Sequence, residues 1–168
     1  MQTKLIILRG PSSSGKTTVM NELKSRSPRR VATVEADIFK HKILHSQDGS
    51  KELTAKLCSD VIRRLLVSGY DVVAEGLFSA KYYKNVFDDI ESAHPHDNHF
   101  YYFDISLAEV IRRHSMRSKS TEFSSDYVAE LYKKTSPLEH MQERRIDDHM
   151  LIEQIIDMIA AETGILSL

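Results

Sequence analysis

Short apolar runs alternate along the chain with longer segments in which apolar residues recur at helical spacing. A continuous run such as Leu5-Ile6-Ile7-Leu8 is typical of a buried parallel strand, because both faces of such a strand are covered. The pattern predicts strands near 5–8, 31–34, 71–76 and 100–105, with a weaker one over 142–147. It predicts helices over 17–24, 51–68, 79–92, 107–117, 126–134 and 150–162. Since strands alternate with helices, we expect an α/β fold with a parallel sheet between two helical layers.

The helix predicted over 51–68 has the clearest apolar stripe. Helical spacing places on one buried face the side chains of Leu53, Leu57, Val61, Leu65 and Leu66. Gly69 follows this helix and suits the left-handed conformation that often ends one. Residues 37–46, which precede the helix, are expected to form a short helix or a loop.

A phosphate-binding motif lies between the first predicted strand and the first predicted helix. The run Gly10-Pro11-Ser12-Ser13-Ser14-Gly15-Lys16-Thr17 matches the P-loop pattern G-x-x-x-x-G-K-[ST] in full. In such a loop, backbone N–H groups surround the phosphates of a nucleoside triphosphate, and Lys16 would contact the β/γ oxygens. Thr17 would offer its hydroxyl to Mg²⁺, and Thr18 opens the helix beside it. The motif and its context predict a nucleoside triphosphate site in a three-layer P-loop domain.

Carboxylates follow two of the other predicted strands at the edge of the sheet that carries the P-loop. Asp37 follows strand two, where it could take the proton of an attacking hydroxyl or help to hold Mg²⁺. It could instead be a helix N-cap, and Glu35 is an alternative for the same chemistry. Glu75 ends strand three before Gly76 and is predicted to help hold Mg²⁺, unless it is only a solvated strand end. We interpret Asp37 as catalytic and Glu75 as a metal ligand with Thr17.

The densest basic run of the chain covers residues 112–119. Arg113 and Arg117 are four residues apart and so share a helical face, from which they could cover the phosphates. Arg112 points elsewhere and could contact the base. Two other interpretations remain: cations that favour a helix C-terminus, and a patch that contacts RNA. We expect a lid over about residues 112–125.

Three smaller groups of residues invite functional interpretations but have simpler ones. His94, His96 and His99 lie near Asp97 on a loop, which is a poor scaffold for a metal site. Tyr82 or Tyr83 could line an acceptor pocket but could equally be packing residues. Cys58 is expected to be a buried core residue rather than a catalytic thiol.

Composition restricts the class of protein further. The chain has 168 residues, of which 41% are hydrophobic and 28% charged, as expected for one globular domain. A net charge of −1 indicates no bulk attraction to nucleic acid or to an anionic membrane. No run approaches the ~20 apolar residues that span a bilayer, and the single cysteine excludes an internal disulfide. We therefore expect a cytoplasmic protein that is a monomer or homodimer.

These motifs together resemble a small P-loop kinase group that includes chloramphenicol phosphotransferases, zeta-toxin kinases and polynucleotide kinases. The resemblance rests on Gly10–Thr17, Asp37, Glu75-Gly76 and the run Arg112–Arg117, and it spans most of the chain. It implies ATP with Mg²⁺, a hydroxyl acceptor, Asp37 as the base and lid arginines on the phosphates. It also implies a kinase domain over residues 1–168 with the strand order 2-3-1-4-5. Ser13-Ser14 stands where many members have a third glycine.

The leading functional hypothesis is a kinase that transfers the γ-phosphoryl group of ATP to a hydroxyl of a small molecule. A nucleoside, a sugar or an antibiotic would fit this description. A polynucleotide 5′-hydroxyl kinase is the alternative among enzymes, although the net charge does not favour nucleic acid as a partner. An ATP-binding switch is the alternative outside that class. Fold analogy alone does not assign the acceptor.

Overall fold

A five-stranded parallel sheet in the order β2-β3-β1-β4-β5 forms the centre of the protein. The computed structural model describes residues 2–45, 51–116, 124–138 and 141–167. The strands are β1 (Leu5–Arg9), β2 (Val31–Glu35), β3 (Asp71–Gly76), β4 (Asn98–Phe103) and β5 (Arg144–Ile146). The strand order 2-3-1-4-5 and the α/β class that we expected are confirmed.

Within the described parts of the chain, six α-helices connect these strands and a seventh follows the last strand. They are α1 (Lys16–Arg26), α2 (Ala36–Ile38), α3 (Lys51–Val67), α4 (Ala80–Ala93), α5 (Leu107–Ser115), α6 (Ser125–Tyr132) and α7 (Ile152–Thr163). A π-helical segment, Phe39–Ile43, continues directly from α2. None of the helices in the described ranges is long and apolar enough to cross a membrane.

The two faces of the sheet bury separate hydrophobic cores, and this makes the fold three-layered. One core joins alternate residues of the strands, such as Leu5 and Ile7, to α3 and α4. The other joins Ile6 and Leu8 to α1 and α7. Side chains of successive strand residues point to opposite faces, so a continuous apolar strand supplies both cores. Because all five strands run parallel, their carboxyl ends lie at one edge of the sheet, where the candidate site lies.

The buried face of α3 agrees with the predicted one only in part, since Leu66 is buried and Leu57 and Leu65 pack against the core. Leu53 and Val61 are 48% and 36% exposed, whereas the buried side chains are those of Thr54, Ala55, Cys58, Ser59, Ile62 and Leu66. Small side chains on this face allow the helix to lie close to the sheet, and the larger leucines pack at its flank. The helix ends as predicted, since Gly69 adopts a left-handed φ of 81°.

Other element boundaries shift by a few residues. The fourth strand begins at Asn98 rather than at Phe100, because residues 98 and 99 still pair with β1. The fifth strand, predicted over 142–147, is reduced to the three residues Arg144–Ile146. Such shifts are expected, because a hydrophobic pattern predicts that a strand or helix is present more reliably than it predicts where that element ends.

Candidate functional site

The loop from Gly10 to Gly15 is held in shape by contacts with neighbouring elements. Gly10 has a φ of 141°, and a Cβ there would lie 2.8 Å from the backbone oxygen of Phe103. Gly15 has a φ of 103° at the start of α1, and a Cβ there would lie 3.2 Å from Cδ1 of Ile152. Side-chain-bearing residues rarely adopt either conformation. Gly10 is therefore required both by backbone conformation and by space, whereas Gly15 is required by backbone conformation.

Ser13 takes the left-handed conformation that a glycine would adopt more readily. Its φ is 62°, and its buried hydroxyl oxygen makes no hydrogen bond within the described residues. For an L-residue this conformation costs about 1–2 kcal/mol. Ser13 thus keeps this loop geometry at an energetic cost. Its neighbours differ in exposure, since Ser14 is buried and Ser12 is half-buried.

Lys16 lies inside the loop rather than extending into solvent. Its Nζ donates to the backbone oxygen of Pro11 at 2.6 Å and to Oγ of Ser14 at 3.2 Å, and the residue is only 6% exposed. The charge is therefore concentrated at the concave side of the loop, where it can meet phosphate oxygens. Thr18, two residues further along α1, is exposed.

Thr17 and Glu75 are in direct contact. The hydroxyl of Thr17 donates to Oε1 of Glu75 at 2.9 Å, across 58 positions of sequence. Glu75 is 9% exposed, and this burial raises its pKa, although nearby Lys16 and the bond from Thr17 act in the opposite direction. A buried carboxylate beside a hydroxyl offers the hard oxygen ligands that Mg²⁺ prefers. The interpretation of Glu75 as a solvated strand end is wrong.

Asp37 lies on the short helix α2, at the carboxyl end of β2. It is the second residue of that helix, so the N-cap interpretation is wrong. Its side chain is exposed, and its charge contributes to the raised pKa values of both Glu75 and Tyr83. Glu35 is the last residue of β2 and lies in register with Glu75. Asp37 and Glu35 are therefore both near enough to Glu75 for their charges to raise its pKa.

Arg113 reaches the P-loop from α5. Its Nη1 donates to the backbone oxygen of Ser14 at 3.0 Å, and its Nε donates to Oε1 of Glu109 at 2.6 Å. Hydrogen bonds from Arg112 and Arg113 lower the pKa of Glu109 to about 2. Glu109 therefore stays ionised and holds both guanidinium groups in position. Arg112 is exposed, and Arg117 lies outside the described residues.

The remaining candidates have structural surroundings. His94 contacts Thr3 and Asn98, and His99 contacts Asp97, at the sheet edge opposite the P-loop. The described parts of the chain contain no group of three or more potential metal-ligating side chains. Cys58 is buried on α3, where burial raises the pKa of its thiol to about 12.

The two tyrosines have different surroundings. Tyr83 is buried and packs edge-on against Phe78, with ring centroids 4.8 Å apart. The half-buried Tyr82 lies beneath the ammonium groups of Lys51 and Lys81, at 5.6 and 5.3 Å from its ring centroid. Tyr82 therefore remains the more accessible of the two.

A family model described as an AAA domain, AAA_33, matches residues 5–136. The chain belongs to this AAA family. The matched range runs from β1 through α6 and so contains the P-loop, both strand-end carboxylates and Arg113. Among curated proteins, no relative of this AAA protein matches in sequence.

Solved structures share the fold of this AAA protein at low sequence identity. A sugar kinase from Janibacter sp. HTCC2649 is 17% identical with a TM-score of 0.76, covering 97% of this chain and 95% of that chain. The Mycobacterium tuberculosis APS kinase CysC, in complex with AMPPNP and APS, is 14% identical with a TM-score of 0.70, covering 95% and 96%. A chain of the Pnkp1/Rnl/Hen1 RNA repair complex is 20% identical with a TM-score of 0.58, covering 79% and 43%. These likenesses support the P-loop kinase fold.

Two residues at the site were not singled out from the sequence. Arg9, directly before the P-loop, is fully buried beside Glu143, with Nε 3.0 Å from Oε1. Phe78 has a φ of 40°, which is strained for a bulky residue, and it follows Gly76 closely. The sequence did give a signal for Arg9, since a charged residue ends an otherwise apolar strand. Nothing in the pattern of residues indicated Phe78.

Proposed function

We propose that this protein is an ATP-dependent kinase that transfers the γ-phosphoryl group to a hydroxyl of a small molecule. The observation that carries the proposal is the 2.9 Å contact between Thr17 of the P-loop and the buried carboxylate of Glu75. That contact places Glu75, the carboxylate that would help to hold Mg²⁺, directly beside the phosphate-binding loop. Asp37 and Arg113 lie at the same edge of the sheet and supply the other groups that transfer needs.

The first part of the proposal concerns ATP and Mg²⁺. The residues that would contact the nucleotide are Gly10, Pro11, Ser12, Ser13, Ser14, Gly15, Lys16, Thr17 and Thr18, together with Arg113. Thr17 and Glu75 fit Mg²⁺ because both present oxygen donors, one of them a buried carboxylate. When bound, the ion would neutralise negative charge on the phosphates. Lys16 would exchange its contact with the Pro11 oxygen for phosphate oxygens.

The second part concerns the transfer itself. Asp37 would accept the proton of the acceptor hydroxyl as the hydroxyl oxygen forms its bond to the γ-phosphorus. The bond between that phosphorus and the β–γ bridging oxygen would break, and ADP would leave with its electron pair. Arg113 would offset the charge that spreads over the transferred group. Arg117 is proposed for the same role in a lid near residues 112–125.

The acceptor is proposed to be a nucleoside, a sugar or an antibiotic. A 5′-hydroxyl RNA acceptor is the second candidate, because the likeness to a chain of an RNA repair complex covers 79% of this chain. The net charge of −1 favours the small molecule. We therefore place the small molecule first.

Transfer from γ-labelled ATP with Mg²⁺ tests the proposal directly. The acceptor panel would contain nucleosides, sugars, amino sugars, chloramphenicol-like alcohols and 5′-hydroxyl RNA, with Lys16→Ala as the blank. We expect a labelled product that is absent from the blank. The absence of product from every acceptor, with slow release of phosphate, would contradict the kinase and favour an ATP-binding switch.

Asp37→Asn separates catalysis from binding. Loss of a general base typically lowers the rate by about 10²- to 10⁴-fold, while ATP affinity should stay unchanged because Asp37 is outside the P-loop. Asp157→Asn is the matched control, since Asp157 is an exposed carboxylate on α7. Full transfer by Asp37→Asn would exclude Asp37 as the base.

A further inference from the structure

Gly76 occupies a position with no room for a side chain. It is the last residue of β3, and a Cβ there would lie 2.8 Å from Cβ of Ala36. The ring of Phe78 lies on another side, with Cε1 at 3.2 Å and Cδ1 at 3.3 Å from the same point. Ala36 begins α2 and immediately precedes Asp37. Gly76 is therefore the contact at which α2 rests on the central sheet.

Space rather than backbone conformation explains the glycine. The left-handed φ near this turn belongs to Phe78, at 40°, whereas Gly76 has no positive φ. The residue with a left-handed φ after β3 is therefore Phe78 and not Gly76. An alanine at position 76 would suit the backbone and would conflict only with its neighbours. This makes the position a clean probe of the distance between β3 and α2.

The neighbours of Gly76 cannot absorb a methyl group by rotating a side chain. Ala36 ends at Cβ, so relief there requires movement of the α2 backbone. Phe78 is 1% exposed and its ring packs against Tyr83 and Phe87, with centroids 4.8 and 5.5 Å away. Close packing of this kind transmits displacement instead of dissipating it. The backbone at Ala36 must therefore yield, and it carries the exposed Asp37 directly after it.

We propose that Gly76 is a positioning residue for Asp37. The missing side chain sets the separation between the end of β3, which carries Glu75, and α2, which carries Asp37. This inference rests on the proposed function, in which the two carboxylates serve the metal and the acceptor hydroxyl. A methyl group at Gly76 would move Asp37 relative to Glu75 by up to about 1 Å, the difference between 2.8 Å and an ordinary contact.

The test combines two substitutions that move one methyl group across the contact. Gly76→Ala should lower kcat for transfer about 100-fold, a loss that a 1 Å misplacement can cause, with KM for ATP unchanged. Adding Ala36→Gly should recover at least tenfold in kcat, because it removes the atom that the new methyl group meets. A purely structural role would instead lower the folded fraction and leave kcat per folded molecule unaltered. Urea unfolding of each variant measures that fraction.

A crystal structure of Gly76→Ala gives a readout that does not depend on an acceptor. Displacement of α2 away from β3 is the expected result. An unmoved α2 with a rotated Phe78 ring would overturn the inference, as would normal kcat in the folded variant or a lack of recovery in the double variant. Asp37→Asn tested in parallel separates the two ideas. If it transfers normally, the proposed function fails; if only Gly76→Ala does, the positioning role alone fails.

Discussion

Removing the charge of Glu143 should destabilise the fold, because Arg9 would become an uncompensated cation in the protein interior. Arg9 is the last residue of β1, and its side chain is 0% exposed, against 3% for that of Glu143. Burial lowers the pKa of Arg9, while Glu143 acts to raise it. The desolvation of this guanidinium is therefore offset only in part by its partner. Glu143→Gln removes the partner's charge at nearly constant volume.

The magnitude follows from the bonds that survive the change. Loss of one partner from a buried ion pair typically costs about 3–5 kcal/mol. Nη1 and Nη2 of Arg9 would still donate to the backbone oxygen of Ser136, at 2.8 and 2.6 Å. The glutamine oxygen could still accept from the backbone N–H of Leu138, which now donates to Oε2 of Glu143 at 2.7 Å. We therefore expect the lower end of the range, about 3 kcal/mol, or about 6–12 °C in Tm.

Urea unfolding followed by circular dichroism measures this loss. Glu153→Gln is the matched control, because Glu153 forms the same Glu–Arg pair with Arg26 at an exposed site and should matter far less. Adding Arg9→Met to Glu143→Gln should restore stability, since it removes the orphaned charge. The reasoning is refuted if Glu143→Gln costs less than about 1 kcal/mol, or if Arg9→Met destabilises that variant further.

Three further predictions concern ionisable groups. Glu75→Gln should make the metal-free protein more stable, because burial raises the pKa of Glu75 and disfavours its charged form. This gain should grow as pH rises above about 4.5. Urea unfolding at pH 5 and 8 measures the gain, and a gain that shrinks with pH would contradict the prediction. Cys58, whose thiol pKa burial raises to about 12, should react with a thiol reagent at pH 8 only after unfolding, and rapid labelling of the native protein would disprove this. Burial acts to raise the pKa of Asp97, but hydrogen bonds from Lys4 and His99 lower it overall, so its contribution is lost as pH falls below about 4. Asp97→Asn should flatten the acid limb of stability against pH, and an unchanged limb would count against this account.

The sheet could be predicted from the sequence because each strand is a continuous apolar run with both faces covered. The P-loop could be predicted because its residue types and spacing are specific. The buried face of α3 could not be predicted in full, because Ala55, Cys58 and Ser59 give a weak apolar signal beside the leucines that flank them. Helical periodicity ranks faces by hydrophobicity, whereas packing against a sheet also rewards small side chains.

The contacts that fix the site could not be predicted for a different reason. Arg9 and Glu143 are far apart in sequence, and their pairing depends on the course of the chain between α6 and β5. The strain at Phe78 depends on burial of its ring, which no local pattern reports. Asp37 and Glu75 were predicted as functional residues from carboxylates at strand ends, and Arg113 from a basic run on a helix.

Successive residues of β3 contact different elements of the candidate site, because their side chains point to opposite faces of the sheet. In β3, Glu75 shares a face with Val73 and meets Thr17 of α1, whereas Gly76 faces the other way and meets Ala36. Gly76 is the partner of Arg9 in the pairing of β3 with β1. Because successive strand residues alternate between faces, a one-residue shift in the register of β3 would turn each of these side chains to the other face of the sheet. The register of β1 and β3 is therefore as important to this site as the residues themselves.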